Sequence, residues 1–523
     1  MSLNFNLLIK KATELQNIGN FFDAKKIYLE ALKIKPNDYN LLKILSSLEF
    51  HSANLDKSLQ YIESAIKIKN NSSELLSMKA LILYKLNKID NSAFYFLESL
   101  KIDPKNISSL LNLGVIHKEK LEYKKALECF DKIEKLNNNH TTAILYKAYI
   151  LYEIQLFEKS IIQLNRIITK IKDYSAYLLR GNSFMALNNF EKSINDYEFI
   201  ITNKNKCDKK IYYDALFNKS LLLLMNGNYR EGWKYYEYRF KAKKVKIPFF
   251  LENIPYLKNI SDVRNKSLLI HGEQGIGDNI QFFRYIYLLK KYTSNITFIV
   301  DKKLIKLFNN SKLDINIVSS VDNTSNYDFH CHLMSLPYKF LSEVDTIPQS
   351  NQYIFIKNEN IKKWNNFFPK NKLNIGINWA ASSNTQVDKG RSFNVEDIKK
   401  ISFIKNVNLY SLQKKIDFDS LEKNNLKINF FKKLDEESAF IDTAPIISNL
   451  DLVITCDTSI AHLAGSLEKK TFLVLQKNSE WRWLRNTDFT PWYKSIKIFR
   501  QTIQNNWTEP FNKIESEIKK MLN

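Results

Sequence analysis

Leu268-Leu269-Ile270-His271-Gly272-Glu273-Gln274-Gly275-Ile276-Gly277-Asp278 is where the chain changes character. A largely apolar run of strand length meets a glycine turn. Asn279-Ile280-Gln281-Phe282-Phe283-Arg284-Tyr285 then continues with helical patterning. The chain has only 11 glycines in 523 residues, and three of them lie in this turn. Glycine is placed where backbone takes φ > 0 or approaches another group closely. Before this point the sequence reads as helices alone; after it, strands and helices alternate.

Upstream, residues 5–240 repeat. Small residues recur at Ala24, Ser58, Ser92, Ala126, Ser160 and Ser193, at spacings of 34 and finally 33. Four residues after each comes a bulky apolar side chain: Tyr28, Ile62, Phe96, Phe130, Leu164 and Tyr197. Pro36 and Pro104 close two units, and Asn70 and Asn138 take that place in two others. Small residues let paired helices approach, and proline ends the second helix. A period of 34 with this order resembles the tetratricopeptide repeat. A seventh unit is expected at Gly227-Asn228-Tyr229-Arg230-Glu231-Gly232-Trp233. Stacked helix pairs form a superhelix whose groove is expected to hold a peptide or protein partner, the alternative being an array that only supports the next domain or makes a dimer.

Residues 241–265 are lysine-rich and broken by Pro248 and Pro255, which reads as a basic linker or strap. Beyond it, strands are expected at Ser267–His271, Ile296–Val300, Ile315–Val318 and Tyr327–His332, then at Leu373–Trp379, Val407–Leu412, Ile428–Phe431, Leu452–Thr455 and Thr471–Leu475. Strands alternating with helices imply parallel sheets. The two sets predict two Rossmann-like halves, 266–345 and 373–505, joined by 346–372 and followed by a helix over 506–523. Ligands of such sheets sit beyond the carboxyl ends of the strands.

The formal charge of +23 is spread along the chain, and no basic-aromatic motif for nucleic acid appears. Four scattered cysteines without a Cys-x-x-Cys pair fit a reducing compartment and no structural zinc. No signal-peptide pattern and no run long enough to span a bilayer is present, so a cytoplasmic protein is expected, with peripheral membrane association left open.

The glycine turn is spaced Gly-x-x-Gly-x-Gly, which is not a dinucleotide fingerprint, and it lacks the lysine of a P-loop. It delivers a carboxylate, Asp278, to a helix start, where a capping role and a general-base role are compatible. The second motif is Leu452-Val453-Ile454-Thr455-Cys456-Asp457-Thr458-Ser459-Ile460-Ala461-His462. A strand ends in a polar turn and a helix starts, so first-turn amides are available for phosphate. Asp457, Thr458 and Ser459 read as helix caps or ligand contacts, and His462 as a site residue or a satisfied fold residue. Trp379, Arg391, Gln413 and Lys414 follow other strands; the two cations suit phosphate or solvent. His330 and His332 share a strand face, a metal-like pair without an evident third ligand. Asp417-Phe418-Asp419 reads as a solvated loop. Trp481-Arg482-Trp483 and Pro491-Trp492-Tyr493 read as core packing or as a platform for a sugar or base.

Gly-Glu-Gln-Gly-Ile-Gly-Asp (272–278), Asn-Trp-Ala (378–380), Ser-Leu-Gln-Lys (411–414), Asp-Thr-Ser-Ile-Ala-His-Leu-Ala-Gly (457–465) and Trp-Arg-Trp-Leu (481–484) together resemble bacterial tetratricopeptide-repeat glycosyltransferases. Their catalytic half is similar to the heptosyltransferases of glycosyltransferase family 9. The resemblance implies an α-solenoid followed by a GT-B fold. It implies inverting, metal-independent transfer from a sugar nucleotide, which is a substrate, so no cofactor is expected. Asp278 is then the candidate base. Asp457, Thr458, Ser459, His462 and Lys414 bind the donor, with Arg391 assigned by position. Gly272, Gln274, Gly275, Gly277, Trp379 and Gln413 line the cleft. The repeats would hold a protein or peptide acceptor. The alternative is a repeat scaffold whose transferase-like half is inactive. Ser459 stands where heptosyltransferases often carry glycine.

Overall fold

The computed structural model describes residues 2–348, 352–381, 390–414 and 425–523. They fall into two compact units, 1–184 and 185–523.

The first unit is built of antiparallel helix pairs, from Ser2–Asn17 with Phe21–Ile34 to Thr141–Glu153 with Phe157–Ile168. The 34-residue period is written in the helix ends as well as in the core. Asp38, Ser72, Asn106 and His140, each 34 apart, accept a backbone N–H three residues on and open the first helix of successive pairs. Ala53, Asn87, Leu121 and Gln155 take positive φ between the helices of successive pairs. The small positions are fully buried. Where serine replaces alanine there, its hydroxyl donates to a carbonyl 12 residues earlier: Ser58 to Ser46, Ser92 to Ala80 and Ser160 to Ala148, at 2.7–2.8 Å. Serine therefore keeps the close helix approach without leaving a buried hydroxyl unmet.

The second unit begins with helices Phe190–Thr202, Lys209–Met225 and Tyr229–Tyr236 and continues into two sheets. The first holds β1 (Leu268–His271), β2 (Ile296–Ile299), β3 (Asn316–Val318) and β4 (Phe329–His332) in the order β3-β2-β1-β4, all parallel. The second holds β5 (Leu373–Asn378), β6 (Val407–Ser411), β7 (Ile428–Asn429), β8 (Leu452–Thr455), β9 (Thr471–Leu475), β10 (Phe489–Thr490) and β11 (Tyr493–Arg500). Its order is β10-β11-β9-β8-β5-β6-β7, parallel except for the β10–β11 pair. Strands such as β2, β8 and β9 are buried along their whole length, as parallel strands covered on both faces must be. Strand order reverses between β1 and β4 in one sheet and between β5 and β8 in the other.

β11 was not expected. Lys494 and Lys497 interrupt its apolar pattern, yet Ile496, Ile498 and Phe499 are buried and the strand pairs with β9. A single core joins Trp233 and Tyr236 to Ile270 and Phe282, and to Ile460, Trp483 and Trp492. The last repeat-like helix is thus part of the α/β body. Residues 241–265 act as a strap: Leu251 and Ile254 pack on Leu269 and Ile299, and Tyr256 bridges to His330 at the edge of β4.

Candidate functional site

The carboxyl ends of β5 and β8 flank the switch point of the larger sheet. Asn378, the last residue of β5, organises it. Its amide Nδ2 donates to Gln413 Oε1 at 2.7 Å, and its Oδ1 accepts from Thr458 Oγ1 at 2.9 Å and Thr455 Oγ1 at 3.2 Å. Thr458 caps the helix Ser459–Ser466 by accepting from Ile460 N–H at 3.3 Å. Gln413 Oε1 also accepts from Ala380 N–H at 3.1 Å, so β5, the turn after β6 and the β8 turn are locked together. Arg391 donates to the Asp457 carbonyl at 3.2 Å, while Lys414 reaches the Asp435 carbonyl at 2.9 Å. Trp379 lies in the core with Ile377 and Phe393. Asp417-Phe418-Asp419 lies outside the described residues.

Asp457 is only 6% exposed. Burial pushes its carboxyl up to about 6, helped by the charge of Glu480 and opposed by Arg391 and Arg482. His462 is buried too. Its Nδ1 lies 3.0 Å from the Tyr493 hydroxyl, and its ring stacks on Trp483 at 5.2 Å. Burial, then Arg482 and Arg284, hold its pKa well below the ordinary histidine range. A neutral imidazole donates or accepts one hydrogen bond here and adds no charge.

The glycine turn of the first sheet lies against this helix. A Cβ on Gly277 would stand 2.9 Å from His462 Cδ2 and 3.3 Å from Ser459 Cα. A Cβ on Gly272 would stand 2.3 Å from Asn279 Oδ1. These two glycines serve close packing between protein elements. Gly277→Ala is expected to cost about 1–3 kcal/mol through overpacking; a urea titration followed by tryptophan fluorescence measures it. Gln274 takes positive φ and donates to the Tyr236 hydroxyl at 2.7 Å.

Asp278 has both oxygens engaged. Oδ2 accepts from Gly275 N–H at 2.9 Å, and Oδ1 pairs with Arg482 Nη2. Arg482 also holds Glu480 at 2.5 Å and lies over the Trp481 ring. Burial alone would lower the Arg482 pKa, but the charges of Asp278 and Glu480 outweigh it and the pKa rises. Arg482 and Asn378 are the site residues that the sequence reading passed over as members of longer motifs. The available signal was an arginine set between two tryptophans, since a guanidinium buried there needs partners, here the carboxylates of Asp278 and Glu480.

At the switch point of the smaller sheet, Glu273 takes a two-pronged ion pair from the fully buried Arg239: Nε to Oε2 at 3.0 Å and Nη2 to Oε1 at 2.7 Å. Met334 N–H adds a third bond at 3.1 Å. His330 and His332 share their face with His271 of β1, with ring centroids 5.9 and 5.6 Å from His332. Among the described residues, no group of three or more His, Cys, Asp or Glu is placed to hold a metal ion. No described helix is long and apolar enough to cross a membrane.

Residues 73–106 and 107–140 match the tetratricopeptide repeat family. Protein FlbA of Caulobacter vibrioides is 21% identical over 447 residues, spanning 80% of this chain and 73% of that protein. Similar solved structures include a tetratricopeptide repeat protein from Parabacteroides merdae, at 18% identity and TM-score 0.38 over 46% of this chain and 93% of that one. The pilus biogenesis factor PilW gives 17%, 0.36, 39% and 95%. YrrB, described as a repeat protein with an unusual peptide-binding site, gives 17%, 0.32, 37% and 98%. The chain therefore carries tetratricopeptide repeats, and a region of parallel sheets follows them.

Proposed function

We propose that the second unit is a glycosyltransferase of GT-B type, moving a sugar from a nucleotide-diphosphate donor to an acceptor hydroxyl with inversion and without a metal. The repeats hold a protein partner or acceptor. The observation that carries this reading is the meeting of the two motifs: the Gly275–Asp278 turn of one sheet lies on Ser459 and His462 at the switch point of the other. A helix start at such a point binds phosphate through its free amides. The donor diphosphate occupies the Thr458–Ser459 turn, with Arg391 and Lys414 as cations on that side. Asp278 takes the acceptor proton once the acceptor displaces Arg482 from Oδ1, and Arg482 then turns to the leaving phosphate.

Asp278→Asn is expected to lower kcat about 100-fold or more, the usual scale for a general base, with donor binding unchanged in calorimetry. Turnover near wild type with a panel of nucleotide sugars removes the base assignment. A binding-only reading has one observation behind it: both Asp278 oxygens and the His462 Nδ1 already have partners within the protein. If no nucleoside diphosphate or sugar nucleotide raises the melting temperature, the binding-only reading stands and the transferase reading falls.

A further inference from the structure

The strap over the first sheet leaves an open pocket of about 630 Å³ between itself and β4. Its walls are mostly apolar: Phe240, Ile247, Leu251, Ile254, Pro255 and Tyr256. This volume is in the range of small-molecule sites, which pair an apolar lining with a few fixed polar groups. Here the polar groups are Glu237, Glu252 and Asn253, with His330 and His332, 7% and 1% exposed, at the floor. The Nδ1 atoms of both, and of neighbouring His271, are buried without a hydrogen-bond partner. These three atoms expose almost no surface, so a ligand meets the imidazoles at the ring edges of His330 and His332 that line the pocket. Aromatic rings fix the imidazoles in place, Phe240 at 4.6 Å from His332 and Tyr256 at 5.3 Å from His330.

The wall carboxylate of Glu237 is already met by Arg239 at 2.7 Å, Ser335 at 2.8 Å and Tyr256 at 2.8 Å. The other wall carboxylate, Glu252, is exposed to solvent at the open side, where water screens its charge and leaves it as an acceptor for a ligand hydroxyl. Burial also keeps the imidazoles uncharged: those of His271 and His330 are pushed down to about 4, and that of His332 to about 2. An anionic ligand would meet no positive charge from them. A hydroxyl group donates to or accepts from an imidazole nitrogen whichever tautomer is present. The aromatic walls suit the apolar face of a ring.

We infer that this pocket binds an uncharged, hydroxyl-bearing ring with an apolar substituent, a glycoside. Binding here needs no donor sugar and no turnover, so it stands or falls separately from the transferase reading. The test is calorimetry on the full chain with p-nitrophenyl glucoside, galactoside and N-acetylglucosaminide. 4-Nitroanisole serves as the apolar body alone, glucose 1-phosphate as a charged sugar, and zinc chloride as the metal alone. Saturable binding of a glycoside, weakened at least tenfold in His330→Phe and lost in Ile247→Trp at the partly exposed rim, is expected. Ile247→Trp should keep the wild-type melting temperature, which separates blockage from misfolding. Failure of all three glycosides to bind below 1 mM (roughly −4 kcal/mol) overturns the inference. So does glycoside binding indifferent to both substitutions, equal affinity for 4-nitroanisole or glucose 1-phosphate, or one-to-one zinc binding lost in His330→Phe.

Discussion

Arg239→Met is expected to destabilise the second unit by about 3–5 kcal/mol, the cost of removing one partner from a buried ion pair. Arg239 is fully buried, and its guanidinium is bonded to Glu273, Glu237 and Ser335. Methionine fills much of the same volume, so the loss is electrostatic rather than steric. What remains is the Glu273 carboxylate, with its side chain 1% exposed and only Met334 N–H to meet it. The pair ties helix Tyr229–Tyr236 and the turn after it to the glycine turn of β1, so local loosening does not relieve the stranded charge. All seven tryptophans lie in the second unit, so fluorescence against urea reports this transition without the first unit. Adding Glu273→Gln to Arg239→Met should recover a substantial part of the loss, because no uncompensated charge then remains. A single variant as stable as wild type, or a double variant less stable than the single, contradicts this account.

The repeat was legible because one structural rule recurs: a small residue at every helix crossing, at a spacing of 34 and finally 33. The same period was present and unread in the caps Asp38, Ser72, Asn106 and His140. Strands β1, β8 and β9 were legible as apolar runs of the length that doubly covered strands need. β11 has no such run, because exposed Lys494 and Lys497 stand among its buried residues. The placement of site residues on turns after strands could be read from the sequence, since it follows from local pattern. Their partners could not. Asp278 and Arg482 are 204 residues apart, and Gly277 and His462 are 185 apart. The sequence reading treated the glycines as a wall for substrate; at Gly277 the close neighbour is the His462 ring. Likewise His271 completes the cluster with His330 and His332 only through the parallel register of β1 on β4.

Acidification from pH 7 to pH 5 should destabilise the second unit by several kcal/mol, in steps that belong to its histidines. His271, His330, His332 and His462 are the four histidines after residue 184, and burial lowers the pKa of each below the ordinary 6.5. The sign follows from linkage. Between pH 6.5 and about 4 the unfolded chain binds protons that the folded chain refuses, so the stability present above pH 6.5 is lost as pH falls. At pH 5 His271, His330 and His332 each account for about 2 kcal/mol, at roughly 1.4 kcal/mol per pH unit, and His462 acts in the same direction. The charges around them point the same way: Arg239 opposes a proton on His332, and Arg482 and Arg284 oppose one on His462. Asp457 acts in the opposite sense, because its raised pKa of about 6 makes the folded state take up a proton over part of this range. It offsets part of one imidazole's contribution. Urea midpoints followed by tryptophan fluorescence should therefore fall steeply between pH 6.5 and 5, well above the range where ordinary carboxylates titrate. His330→Gln should flatten that fall by about 2 kcal/mol at pH 5, because glutamine keeps an amide in the position but takes up no proton. Equal midpoints for wild type at pH 7 and pH 5, or an unchanged slope in His330→Gln, would show that these imidazoles gain protons without breaking the packing of the first sheet.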